Sequence, residues 1–175
     1  MPETSANLSE VCLSCGLCCT GAIFSHAKLS DADKQILGEA GAIPKDGTYT
    51  GDRLHLPCTF LSGTACTIYE RGRPEICGEY LCKLVREVEN GKTTLDEAKQ
   101  ITAQARQLLD DTNQALPPGT NITTGAQALV DGDLPKGSTQ QAAMQGRLAY
   151  FALQALLDKR FRARDQKLIK VSQDQ

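Results

Sequence analysis

Tryptophan is absent from the 175 residues, and aromatic residues as a class make up only 5% of them. Any core must rest on leucine, isoleucine, valine and alanine, with few large anchors. No apolar run reaches the roughly 18 residues of a membrane-spanning helix, so no membrane partner is expected. Met1 to Val11 contains neither lysine nor arginine and no apolar run, which argues against a secretory signal and for a cytoplasmic protein. The net charge of −2 leaves no general excess of positive charge, so nucleic acid is not an expected partner. Ser/His/Asp sets and paired carboxylates are missing near the cysteines, so hydrolytic chemistry is not supported. There is no G-x-G-x-G loop for a methyl-donor nucleotide, and Gly132 to Ser138 lacks the Gly-Lys pair of a phosphate-binding loop.

Cysteine is what the chain has in quantity, and it too has an absence: all eight lie between Cys12 and Cys82, with none afterwards. In a reducing compartment such a set is a poor disulfide framework but a good supply of soft anionic ligands. The chain therefore divides into a flexible N-terminus over 1–11, a cysteine-rich metal-binding module over 12–91, and a cysteine-free helical extension over 92–175 packed on it. The expected fold is mainly α, with an irregular module held together by metal, a small β-hairpin and a C-terminal antiparallel helical hairpin.

Local patterns give the elements. Ser30 with Asp33 predicts a capped helix to Glu39 with Gly41 beyond its end, and Ala42 to Asp52 reads as a loop. Thr59 to Ile68 predicts a hairpin around Ser62-Gly63-Thr64, with Cys58 and Cys66 near its outer ends. Leu81, Leu84, Val85 and Val88 have helical spacing stopped by Gly91, so Cys82 falls on a first helical turn. Thr94 and Glu97 form a capping box for a long helix whose stripe is Leu95, Ala98, Ile101, Ala105, Leu108, Leu109 and Thr112, ended by Pro117-Pro118-Gly119. A loop with one helical turn near Ala126 to Val130 then leads to a second capping box, Ser138 and Gln141, and a long helix through Phe161.

The candidate metal ligands are Cys12, Cys15, Cys18, Cys19, Cys58, Cys66, Cys77 and Cys82. Cys12 to Cys19 spell C-x2-C-x2-C-C. Two intervening residues let both sulfurs turn toward one ion while backbone N–H groups point at the thiolates. Gly16 and Gly21 suit tight turns of positive φ. Adjacent Cys18 and Cys19 point to opposite sides of an extended chain, which assigns them to different irons or different metal sites. Two four-ligand sites would use the whole set, and one iron–sulfur cluster beside one structural zinc fits equally. The run of Cys12, Cys15 and Cys18 with a remote thiol is ferredoxin-like in outline, but the C-x3-C-P continuation is missing. A zinc tetrathiolate would be closed and structural. The cofactor is thus zinc or iron, with an iron–sulfur cluster among the forms of iron.

Beyond ligand chemistry, the opening C-x2-C-G-x-C-C, Leu56-Pro57-Cys58-Thr59-Phe60-Leu61, Cys66-Thr67-Ile68-Tyr69-Glu70, Arg73-Pro74, Cys77 and Cys82 resemble the YkgJ-type CxxCxxCC family. The resemblance covers residues 12 to 82 and leaves 92 to 175 outside it. It implies a zinc- or iron-chelating domain with these eight cysteines as ligands. Flagellin lysine N-methylase carries a related signature, so the resemblance also implies metal-dependent protein modification as an alternative function, beside metal handling or electron transfer. Gly72 lengthens the segment between Tyr69 and Arg73-Pro74 by one residue, and Gly78-Glu79-Tyr80-Leu81 replaces an Arg- and Phe-Pro-containing stretch.

His26 and His55 are the only histidines and read as polar loop residues, although imidazole at His55, three residues before Cys58, would suit zinc or iron. Tyr69, Glu70, Arg71, Arg73 and Pro74 are expected to support the ligands, with arginine offsetting thiolate charge. Lys159, Arg160, Arg162, Arg164, Lys167 and Lys170 read as a solvated helix end suited to the C-terminal dipole, or as a docking surface for a protein partner.

Overall fold

A computed structural model of the chain describes residues 3–39, 49–70, 72–117, 119–132 and 139–163. The fold is mainly α, with two small antiparallel sheets among the described residues. It divides into two compact units, Met1–Leu81 and Cys82–Gln175, so Cys82 and the helix that follows it go with the second unit. Among the described residues no helix is long and apolar enough to cross a membrane.

The first unit opens with helix α1, Glu3–Cys15. Glu3 to Val11 supply the greater part of this helix, and Val11 within it and Leu17 just beyond it are buried. Strand β1, His26–Lys28, is followed by α2, Asp31–Glu39. The capping at Ser30 is as the sequence predicts: the Asp33 N–H donates to Ser30 Oγ at 3.1 Å, and the Ser30 N–H donates to Asp33 Oδ2 at 2.8 Å. Gly41 and most of the loop assigned to Ala42–Asp52 lie outside the described residues. The end of that loop is strand β2, Tyr49–Thr50, paired with β3, Arg53–His55.

Strand order is β1-β3-β2, with Ala27 opposite Leu54 and His26 opposite His55. The alternation on β3 is strict, since Leu54 is buried while Arg53 and His55 are exposed. Leu54 joins Leu29, Leu37, Phe60 and Ile68 in a small core, against which Ala27, Cys58 and Cys66 pack. The predicted hairpin is present but shorter: β4, Leu61–Ser62, pairs with β5, Ala65–Cys66, around a turn with Gly63 at φ +61°. Helix α3, Glu75–Glu79, was not legible because five residues are too few to show a period.

The second unit begins with α4, Lys83–Glu89, stopped as expected at Gly91, where φ is +66°. Helix α5, Leu95–Gln114, carries the complete Thr94/Glu97 capping box, and its buried stripe is Ala98, Thr102, Ala105, Leu109 and Thr112. Pro118 lies outside the described residues. In place of the single helical turn expected near Ala126, a full helix α6 spans Ile122–Asp131. Its missed start signal is Asn121, whose side chain accepts from the Thr123 and Thr124 N–H groups. Helix α7, Gln140–Arg160, is capped by Thr139, which accepts from the Ala142 N–H; the predicted cap Ser138 lies outside the described residues.

Helices α5 and α7 run antiparallel: Arg160 reaches Thr93 at one end, while Gly146 meets Ala115 toward the other. A Cβ on Gly146 would stand 2.1 Å from Ala115 Cβ, so the close approach depends on the missing side chain. The expected hairpin is thus a three-helix packing, because α6 also packs against both α5 and α7. Among the described cations of the basic C-terminus, Arg160 pairs with Glu87 at 3.1 Å, and Arg162 is buried against Asp158 and Gln154, each at 2.8 Å. Arg162 is therefore turned into the fold, whereas Arg160 is only partly buried. Arg164, Lys167 and Lys170 lie outside the described residues.

Candidate metal centre

Cys12 and Cys15 sit on the last turn of α1, three residues apart and therefore on one face of the helix. The helix ends at Gly16, whose φ of +65° turns the chain back. A Cβ there would lie 2.9 Å from the Thr64 carbonyl oxygen, so glycine also lets this turn press against the β4–β5 hairpin. The Gly16 carbonyl accepts from the N–H groups of Cys19 and Thr20 at 2.9 and 3.1 Å, which folds Cys18 and Cys19 into a compact turn over buried Leu17.

Two later segments close on this turn. The Cys58 N–H donates to the Cys19 carbonyl at 2.7 Å, joining residues far apart in sequence by their backbones. Cys66 ends β5 opposite Leu61, and β5 packs against α1. Cys77 lies in the middle of α3, which is tied to α2 by the Glu75 N–H donating to Asp33 Oδ1 at 2.8 Å. Asp33 is only 3% exposed. Burial pushes its carboxyl up, but hydrogen bonds from Glu75 and Ser30 outweigh this and hold it below the ordinary value. One buried carboxylate thus caps α2 and positions the cysteine-bearing helix α3.

Electrostatics show which thiols are neighbours. Burial, and then the negative charge that Cys58, Cys77, Cys66 and Cys15 would each carry, push the Cys19 thiol up to about 12. Cys77 is pushed up to about 11 by burial and by Cys58 and Cys66, against the opposing pull of Arg73. Cys77 is exposed as a whole residue, yet burial is the largest cause of the rise at its thiol. Cys58 is raised by burial and by Cys66, with a Phe60 N–H hydrogen bond working against them. Cys12 is raised by burial and lowered by Arg73.

Seven of the eight candidate cysteines thus belong to the first unit, and none of the eight is in a disulfide. Among the seven, the charges of Cys58, Cys77, Cys66 and Cys15 all act on Cys19. Cys82 belongs to the second unit, where it is the N-cap of α4 and its sulfur accepts from the Val85 N–H at 3.5 Å. Both histidines are on exposed strand positions instead of loops, and Ser25 Oγ lies 3.0 Å from His26 Nδ1. Among the described residues, no three of His, Cys, Asp or Glu are positioned to share one ion, so the thiols are neighbours and not a closed coordination shell.

The donor set nonetheless fits a soft or borderline cation. Half-buried thiols that repel one another as anions take up the charged form when a positive ion is among them, and sulfur ligands suit zinc and iron. The sequence motif of the CxxCxxCC family, described as "Putative zinc- or iron-chelating domain", matches residues 11–107. The match continues past the cysteines through α4 and into α5, further than the likeness drawn from the cysteines alone. No curated protein and no solved structure matches the chain.

Proposed function

Because this chain belongs to the CxxCxxCC family, we propose that it chelates zinc or iron through thiolates of its first unit, drawn from Cys12, Cys15, Cys18, Cys19, Cys58, Cys66 and Cys77. The observation that carries this reading is that the Cys58 N–H donates to the Cys19 carbonyl at 2.7 Å, while Cys66 sits on a strand packed against the helix that ends in Cys12 and Cys15. A cation among those thiols would add to the packing of Leu17 and of the Leu54 cluster, since a structural multi-thiolate site contributes on the order of ten kcal/mol to folding.

The residues have separable tasks in this reading. Gly16 shapes the turn carrying Cys18 and Cys19, the Cys19–Cys58 backbone bond joins two thiol-bearing segments, and Asp33 fixes the start of α3. Bound zinc would act as a closed structural ion, whereas iron as a cluster would add one-electron chemistry.

The test is anaerobic purification followed by elemental analysis and an absorption spectrum. Stoichiometric zinc in a colourless protein identifies the zinc form, and brown protein with visible charge-transfer absorption identifies the iron–sulfur form. Protein that retains neither metal, and takes up neither on anaerobic reconstitution, refutes the proposal.

A further inference from the structure

The geometry points to Arg73 as the cation that balances the charge of the thiolate centre, held for that task on the face of Tyr69; this inference rests on the chelating function proposed above. Arg73 Cζ lies 4.0 Å from the centroid of the Tyr69 ring, within cation–π range. Tyr69 is itself bound to a candidate ligand, its N–H donating to the Cys66 carbonyl at 3.2 Å. On the other side, a Cβ built on Gly78 would stand 3.7 Å from Arg73 Nε and 4.0 Å from Nη2. The guanidinium therefore lies along α3 beside the residue after Cys77.

Two thiol-bearing turns thus flank one fixed positive charge. Four thiolates around one divalent cation leave a net negative charge, and a fixed cation nearby offsets it. Arginine suits the position because its planar group stacks on an aromatic ring while staying charged at any ordinary pH. Arg73 is a positioning and charge-balancing residue in this account, not a ligand.

The experiment uses the full chain, purified anaerobically as wild type, Arg73→Gln, Arg73→Lys and Tyr69→Leu. Zinc(II) affinity is measured by competition with a chromogenic chelator, with far-UV circular dichroism recorded on the same samples. Arg73→Gln should bind zinc about tenfold more weakly or worse, the usual effect of removing a group that supports metal ligands. Arg73→Lys, which keeps the charge but loses the planar stack on Tyr69, should fall about threefold, less than Arg73→Gln. Tyr69→Leu, which frees the guanidinium from its ring, should fall about threefold.

Unchanged affinity in Arg73→Gln overturns the inference. So does a loss in Arg73→Lys as large as in Arg73→Gln, because packing and not charge would then be responsible. If Arg73→Gln does not fold, Tyr69→Leu decides, and wild-type affinity there overturns it. Wild-type protein that binds neither zinc nor iron overturns the chelating function and this inference together, whereas metal-binding wild type with an indifferent Arg73→Gln overturns this inference alone.

Discussion

Replacing Gly16 with alanine should destabilise the first unit through two separable effects. The φ of +65° costs an L-residue about 1–2 kcal/mol. The added Cβ would stand 2.9 Å from the Thr64 carbonyl oxygen and 3.3 Å from Thr64 Cα. Both atoms are backbone, which yields less readily than the tip of a side chain, so overpacking adds about 1–3 kcal/mol. The total is about 2–5 kcal/mol. Gly63 supplies the control: its φ is +61°, but nothing lies within 4 Å of a Cβ built there. Gly63→Ala should therefore carry only the backbone cost of about 1–2 kcal/mol. Urea unfolding of both variants, followed by circular dichroism with bound zinc and iron quantified in each sample, separates the two effects. Gly16→Ala should also retain less metal, because its turn carries Cys18 and Cys19. If the two variants agree to within about 0.5 kcal/mol, the close packing of this turn on the hairpin is wrong.

Asp158→Ala removes a hydrogen-bonded partner from buried Arg162 and should destabilise the second unit by about 3–5 kcal/mol; a denaturation midpoint near wild type would contradict the buried pair. Gly146→Val drives a branched side chain into Ala115, so thermal unfolding should occur well below wild type, with a loss of about 2–4 kcal/mol, while a change under 0.5 kcal/mol would show that α5 and α7 are not so close. Asp33→Asn weakens hydrogen bonds that cap α2 and start α3, at a cost of about 1–3 kcal/mol near neutral pH. Because the folded-state Asp33 carboxyl is held below its ordinary 3.8, its contribution is complete above that pH and is lost as pH falls through the lower folded value. Asp33→Asn should therefore flatten the acid limb of stability below pH 3.8, and an acid limb of wild-type steepness would count against it.

Signals confined to a few neighbouring residues were read correctly. Ser30 with Asp33 and Thr94 with Glu97 are capping boxes because each pair satisfies local backbone groups without help from elsewhere. Gly63 and Gly91 mark turns for the same reason, as their positive φ is a demand of local backbone geometry. The elements that were missed, α1, β1, β2, β3 and α3, are short or weakly patterned. Their stability comes from a neighbour: Leu54 is buried only once β3 joins the Leu29 cluster, and α3 starts where it meets the Asp33 carboxylate.

The same division holds for the candidate centre. By itself the sequence determined the family, the supply of soft ligands and their confinement to the chain before residue 83, since residue type and order are covalent facts. Tertiary structure alone decided which thiols are neighbours, that Cys82 caps a helix in the second unit, and that Arg73 stands between Tyr69 and α3. Those relations depend on chain segments that are distant in sequence and near in space, and proximity of that kind is fixed by packing and backbone hydrogen bonds that no local pattern encodes.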